Sequence, residues 1–378
     1  MRGMNTILIR WRVGALLLVF SFWGVAGAAD GPRTLNIGQS APDFDLPGVD
    51  GARHKLADFS DAKILAVVFT CDHCPTAQAY ERRIQALADA YRGKGVALVA
   101  ISPNDPKAVR LDELGYTDLS DSFEEMKIRA NDRKFTFPYL YDGDSQSVAR
   151  AYGPTATPHV FLFDKARKLR YVGRVDDAEK PERVQSSDTR NAIEAMLSGR
   201  PVPVEKTKTF GCSIKWSDKR SSVTSAFEHW AKESVTLDAI DVNGVKALVR
   251  NQSKKLRLIN VWATWCGPCV IEFPEFITIN RMYRDRDFEF ITISADAPEK
   301  KDGALEFLKR QQASSRNYIF SLEDKYKLVD AVDKDWEGAL PYTLVIEPGG
   351  KIIYRVMGEL NALELKKAIV GSLGRYYP

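Results

Sequence analysis

The chain is short of histidine, with four in 378 residues, and carries only five cysteines and little excess of either charge sign. Its formal charge is +4, and removing Arg2, Arg10 and Arg12 of the N-terminal segment leaves +1. Nothing in that balance suggests a nucleic-acid or anionic-membrane partner. Long hydrophobic runs are also missing. The apolar stretch from Val13 to Val25 has about thirteen residues against the roughly twenty a membrane span needs. No cysteine follows it to carry a lipid. With arginines before it and Ala26-Gly27-Ala28 after it, residues 1–28 read as a cleavable export signal. The mature chain is expected to be periplasmic or otherwise extracytoplasmic, touching the membrane only if that segment stays uncleaved.

What is present is four cysteines in two Cys-x-x-Cys pairs, Cys71-Asp72-His73-Cys74 and Cys266-Gly267-Pro268-Cys269. Each follows a β-branched apolar run and opens a helical pattern. A helix N-terminus stabilises a thiolate, so a dithiol placed there is suited to disulfide exchange. Zinc ribbons bring their cysteine pairs within roughly 15 to 20 residues, and here a whole domain separates the pairs. A purely structural disulfide fits poorly too, because cysteines three apart close almost no loop.

Two domains divide the mature length. The first is expected over 34–200, as hairpin, strand, helix, strand, helix, strand, helix, strand, strand, helix. Lys63 to Thr70 reads as a buried central strand, and Pro75 to Tyr91 as a long amphipathic helix. The second, over 235–378, repeats the order: strand Leu256 to Ala263, helix Gly267 to Tyr283, strand Phe288 to Ser294, and a late hairpin around Pro348-Gly349-Gly350. Residues 201–234, rich in Lys, Ser and Thr, read as a linker. The fold class is α/β, two domains of central mixed sheet flanked by helices.

Strand, Cys-x-x-Cys, helix, then Thr-Pro or Leu-Pro leading into a hairpin resembles the thioredoxin fold. The second domain resembles the exported TlpA/ResA-type reductases through Trp262-Ala263-Thr264-Trp265-Cys266-Gly267-Pro268-Cys269, followed by Glu272 and Pro274. The first resembles the AhpC/TSA-like redoxin branch through Phe69-Thr70-Cys71-Asp72-His73-Cys74-Pro75 and Ala41-Pro42-Asp43-Phe44. The resemblance implies that Cys266 attacks substrate disulfides and Cys269 resolves the mixed disulfide. It implies cis-prolines beside the dithiols at Pro158 and Pro341. Where thioredoxins keep a buried Asp, this chain has Asn260 and Leu65, so Glu272 is the expected proton acceptor for the buried thiol. His73 matches the histidine of the oxidising DsbA-type motif, opposed by the neighbouring Asp72.

The expected function is an exported thiol-disulfide oxidoreductase acting on protein disulfides, fed by a membrane or soluble thiol reductant, with no bound organic cofactor. Electrons are expected to pass from the second dithiol to the first across a flexible linker. For the first domain two alternatives stand beside this. One is a thiol peroxidase, against which Val68 occupies the place of the hydroxyl that would orient a peroxide. The other is copper binding by Cys71, Cys74, His73 and His159, since two thiolates and two imidazoles suit a soft or borderline ion. Cys212 could resolve the Cys71–Cys74 site, pair between chains, or fill a small apolar gap.

Overall fold

The computed structural model describes residues 31–377, so the expected export signal lies outside the described residues. In the first domain, β1 (Asp45–Pro47) and β2 (Arg53–Lys55) form the leading hairpin. After them come β3 (Ile64–Phe69), α1 (Pro75–Tyr91), β4 (Val96–Ser102), α2 (Phe123–Arg133), β5 (Tyr139–Tyr141) and α3 (Ser147–Tyr152). The domain continues with β6 (His159–Phe163), β7 (Leu169–Gly173) and α4 (Asp188–Leu197). Its five strands lie in the order β5-β4-β3-β6-β7, with β3 parallel to β4 and antiparallel to β6. All six residues of β3 are buried, as its unbroken apolar run requires of a strand covered on both faces.

A helix α5 (Arg220–Trp230) leads into the second domain. There β8 (Asp238–Ile240), α6 (Val242–Arg250), β9 (Leu256–Trp262), α7 (Gly267–Tyr283), β10 (Phe288–Ser294) and α8 (Lys301–Arg310) follow. It ends with β11 (Arg316–Phe320), α9 (Lys325–Val332), β12 (Tyr342–Ile346), β13 (Ile352–Met357) and α10 (Ala362–Leu373). The six-stranded order is β13-β12-β9-β10-β11-β8. This domain does not repeat the leading hairpin: β8 instead extends the sheet edge, parallel to β11. Among the described residues no helix is long and apolar enough to cross a membrane.

The segment expected as a linker is built into the first domain. Val172 N–H donates to the Glu205 carbonyl at 2.9 Å, and Thr207 N–H returns to the Val172 carbonyl at 3.1 Å. Further on, Thr157 pairs with Cys212, Ile214 is buried, and Lys215 N–H donates to Asn104 Oδ1 at 2.9 Å. Its polar composition suggests a free coil, but the backbone groups are satisfied by strand edges far away in sequence.

The two domains are packed together. Val109 and Leu114 of the first lie in the apolar cluster of the second, with Met282 and Ile279 of α7. Tyr283 Oη donates to the Thr117 carbonyl at 2.8 Å, and Arg286 Nη1 donates to the Gly115 carbonyl at 2.7 Å while its guanidinium lies over the Tyr116 ring. A Cβ at Gly115 would come 2.9 Å from the Met282 carbonyl oxygen, so the close approach of backbone to helix needs glycine there. Arg375 closes the contact with two bonds to Asp118, of 2.6 and 2.9 Å.

Candidate functional site

Both dithiols sit at the N-terminus of the helix after the central strand, but the helices begin at different cysteines. In the second domain Cys266 is the N-cap of α7, and its sulfur accepts the Cys269 N–H at 3.3 Å. In the first domain the N-cap of α1 is Cys74, whose sulfur accepts the Ala77 N–H at 3.4 Å. Since the positive end of the helix favours an anion within its first turn, the favoured thiolate is Cys266 in one domain and Cys74 in the other.

Cys266 and Cys269 are joined as a disulfide. Cys266 is 6% and Cys269 1% exposed, but the residues around them reach solvent: Trp265 is 70% exposed, and Ile271, one turn on, is 82% exposed. Asp296, buried at the end of β10, holds the loop by accepting the Thr264 N–H at 3.0 Å and its hydroxyl at 2.6 Å. The Leu340–Pro341 bond is cis and leads into β12. Asn260, in the place of the missing buried Asp, bonds Thr343 Oγ1 at 3.2 Å.

Glu272 lies one turn along α7 from Cys269, on the same helix face. One carboxylate oxygen accepts the Leu360 N–H at 3.1 Å, and the other is buried without a partner. Burial, helped by the Glu359 charge and only partly offset by that bond, raises its pKa to about 7. A carboxyl that changes charge near neutrality is suited to proton transfer. If it accepts the Cys269 proton, resolution of mixed disulfides will rise through about pH 7 as Glu272 ionises. Glu272→Gln is expected to flatten that inflection in a stopped-flow pH profile and to slow resolution at pH 8 by roughly a hundredfold, the lower end for general-base assistance. An unchanged profile would remove Glu272 from the proton transfer.

The first dithiol is reduced and enclosed, with Cys71 2% exposed and Cys74 fully buried. Thr157, ahead of cis Pro158, touches both sulfurs: its hydroxyl is 3.1 Å from Cys71 Sγ, and its carbonyl accepts from Cys74 Sγ at 3.6 Å. His73 is buried, with Nδ1 2.5 Å from Asp121 Oδ2. Asp121 also accepts the backbone N–H groups of Asp72 and His73, at 2.8 and 3.0 Å, and the Asn104 amide at 2.8 Å. Burial would lower the His73 pKa, but the Asp121 and Cys74 charges raise it above its ordinary value. Asp121 is in turn lowered to about 2, its burial outweighed by His73 and the other donors.

These charges divide the thiols. Burial raises Cys71 well above the ordinary thiol range. Burial acts on Cys74 too but is overcome by hydrogen bonds from the Cys212 and Cys71 thiols, by the His73 charge and by the Ala77 N–H, so Cys74 lies well below that range. The expected opposition by Asp72 is weakened: burial raises its carboxyl well above the usual carboxylate range, offset only in part by Arg129 and by the Tyr139 Oη that bonds it at 3.0 Å.

His159 is not part of this group. Side chains alternate along a strand, and the His159 ring lies on Phe161, centroids 4.7 Å apart, with Nδ1 accepting the Thr155 N–H. Ligand-type atoms within 4.8 Å of one another belong instead to Cys71, His73 and Asp121. The expected copper set is therefore not assembled. Cys212 packs against the Cys71–Cys74 cluster, and its N–H donates to Cys74 Sγ at 3.3 Å. Sequence reasoning missed Asp121 and Asp296, which steady the two dithiol loops.

An AhpC/TSA family model matches residues 37–172, and a Redoxin model matches residues 231–369. The chain belongs to the thioredoxin superfamily through both domains. Among curated relatives it is 25% identical over 154 residues to a thiol-disulfide oxidoreductase ResA of Bacillus cereus, covering 39% of this chain and 78% of that one. To ResA of Bacillus subtilis (strain 168) it is 28% identical over 121 residues, covering 32% and 63%. A solved structure of a hypothetical protein from Sinorhizobium meliloti 1021 is 36% identical, covering 49% of this chain and 97% of that one, with a TM-score of 0.44. Thioredoxin-superfamily membership and two dithiols at helix N-termini make the chain an enzyme of the thiol-disulfide oxidoreductase class.

Proposed function

We propose that this protein is an exported oxidoreductase that reduces or exchanges disulfides of extracytoplasmic proteins through its second dithiol, while the first works as an enclosed redox centre. The observation that carries this reading is the contrast between the sites. All four cysteines are buried, but the Cys266–Cys269 disulfide is flanked by exposed Trp265 and Ile271, a surface on which an unfolded or extended protein can settle, whereas Cys71 and Cys74 are covered by the chain's own Cys212 segment. Cys266 takes the substrate sulfur, Cys269 displaces it, and Glu272 accepts the Cys269 proton. A thiol reductant then restores the pair.

Cys269→Ser in the full chain is expected to accumulate mixed disulfides between Cys266 and exported proteins, visible on non-reducing gels and released by dithiothreitol. Absence of such adducts, with Cys266 free and alkylatable, would count against a protein-disulfide substrate.

Transfer between the two dithiols meets an obstacle that a flexible linker would not have imposed. Cys266 lies at the start of α7, and the far end of that helix abuts the first domain at Thr117. With 17 residues at about 1.5 Å each, the helix sets the dithiol roughly 25 Å from that contact. Direct exchange therefore requires the domains to part. Arg375→Ala together with Arg286→Ala is expected to speed equilibration of electrons between the dithiols, followed by timed acid quench and alkylation. Equally fast equilibration in the unaltered chain would contradict a closed, docked arrangement.

A further inference from the structure

We propose that the first redox centre is made of three thiols, with Cys74 as a pivot that closes a disulfide with either Cys71 or Cys212. This rests on the reading of the first dithiol as redox-active. The segment bearing Cys212 lies along the edge of the cis-Pro158 loop, where Thr157 N–H donates to the Cys212 carbonyl at 3.0 Å, and the Cys212 N–H reaches Cys74 Sγ at 3.3 Å. It occupies the strand edge an extended substrate would need. Gly211 makes the approach possible: its φ is +131°, and a Cβ there would run into the Thr157 carbonyl. Cys71, Cys74 and Cys212 pack in one small cluster, and the Thr157 hydroxyl and carbonyl tie Cys71 and Cys74 to the same loop that pairs with Cys212. Helix α1 begins at Cys74, so the sulfur favoured as an anion is the one shared by both partners.

The exchange balances within the centre. Starting from a Cys71–Cys74 disulfide, the Cys212 sulfur attacks Cys74, the bond to Cys71 breaks, and Cys71 leaves with the electron pair and takes up the proton Cys212 gave up. No net oxidation occurs. Starting from three thiols, oxidised glutathione is the two-electron acceptor. Cys74 attacks it and releases one glutathione thiol, and Cys212 then displaces the second, leaving a Cys74–Cys212 disulfide.

Peptide mapping reads the outcome directly. Trypsin leaves Cys71 and Cys74 together in Ile64–Arg82 and places Cys212 in Thr209–Lys215, so only a disulfide to Cys212 joins the two peptides. The full chain equilibrated in a glutathione redox buffer, acid-quenched and alkylated, is expected to contain the joined pair, with fragment ions placing the bond at Cys74. Cys71→Ser should carry it in nearly all molecules, and Cys74→Ser in roughly tenfold fewer, since the thiolate is the attacking species. Should Cys74→Ser not fold, the fragment ions of the other two proteins still decide. A Cys71–Cys74 disulfide with no joined peptide would overturn the proposal, as would joining through Cys71. If no disulfide forms at this centre while Cys266–Cys269 oxidises, the redox reading of the first dithiol fails as well.

Discussion

Asp121→Ala is expected to cost the protein about 3 to 5 kcal/mol of stability, the range for removing one partner of a buried ion pair. The carboxylate is fully buried and accepts from four groups: the backbone N–H groups of Asp72 and His73, the His73 ring and the Asn104 amide. Alanine removes the main counter-charge of buried His73 and frees the loop bearing Cys71 and Cys74. With its pKa moved from 3.8 to about 2, Asp121 stabilises the fold above about pH 4 and loses that contribution as the pH falls through about 2. Asp121→Asn keeps the volume and one acceptor, so it is expected to fold. It should nevertheless raise the Cys74 pKa, because the charged form of His73 that lowers it loses its carboxylate partner. Urea unfolding reads the first effect and thiolate ultraviolet absorbance against pH the second. A loss below about 1 kcal/mol for Asp121→Ala would put the pair among weak surface contacts.

Much of the architecture was legible because its signals are local. The runs that became β3 and β9 announce strands covered on both faces, and Thr157-Pro158 and Leu340-Pro341 mark the entries to β6 and β12, both through cis bonds. The three-residue β8 was missed because Asp238–Ile240 is too short for alternation to show. Segment 201–234 was misread for a different reason: its composition is that of a coil, while its order comes from pairing with Val172 and Thr157. Asp121 stands 48 residues from His73 in an ordinary Ser-Asp-Ser stretch before α2, so no pattern points to the contact. Nor does spacing disclose that α1 begins at the second cysteine of its pair and α7 at the first. That single-turn difference reverses which sulfur each helix favours as the anion.

Cys266→Ser in the full chain, assayed for dithiothreitol-driven insulin reduction, tests the account most directly. Cys266 caps α7 next to exposed Trp265 and is the less buried sulfur of its pair, so it is the one an external disulfide meets first. A serine hydroxyl supplies no thiolate, and the enclosed first dithiol offers no alternative route to a protein the size of insulin. The predicted result is a fall of at least about a thousandfold, equivalent to about 4 kcal/mol of barrier, to the rate of dithiothreitol alone. Turnover retained in Cys266→Ser, and lost on replacing Cys74 instead, would place the outward-facing chemistry in the first domain and contradict the division of roles between the two sites.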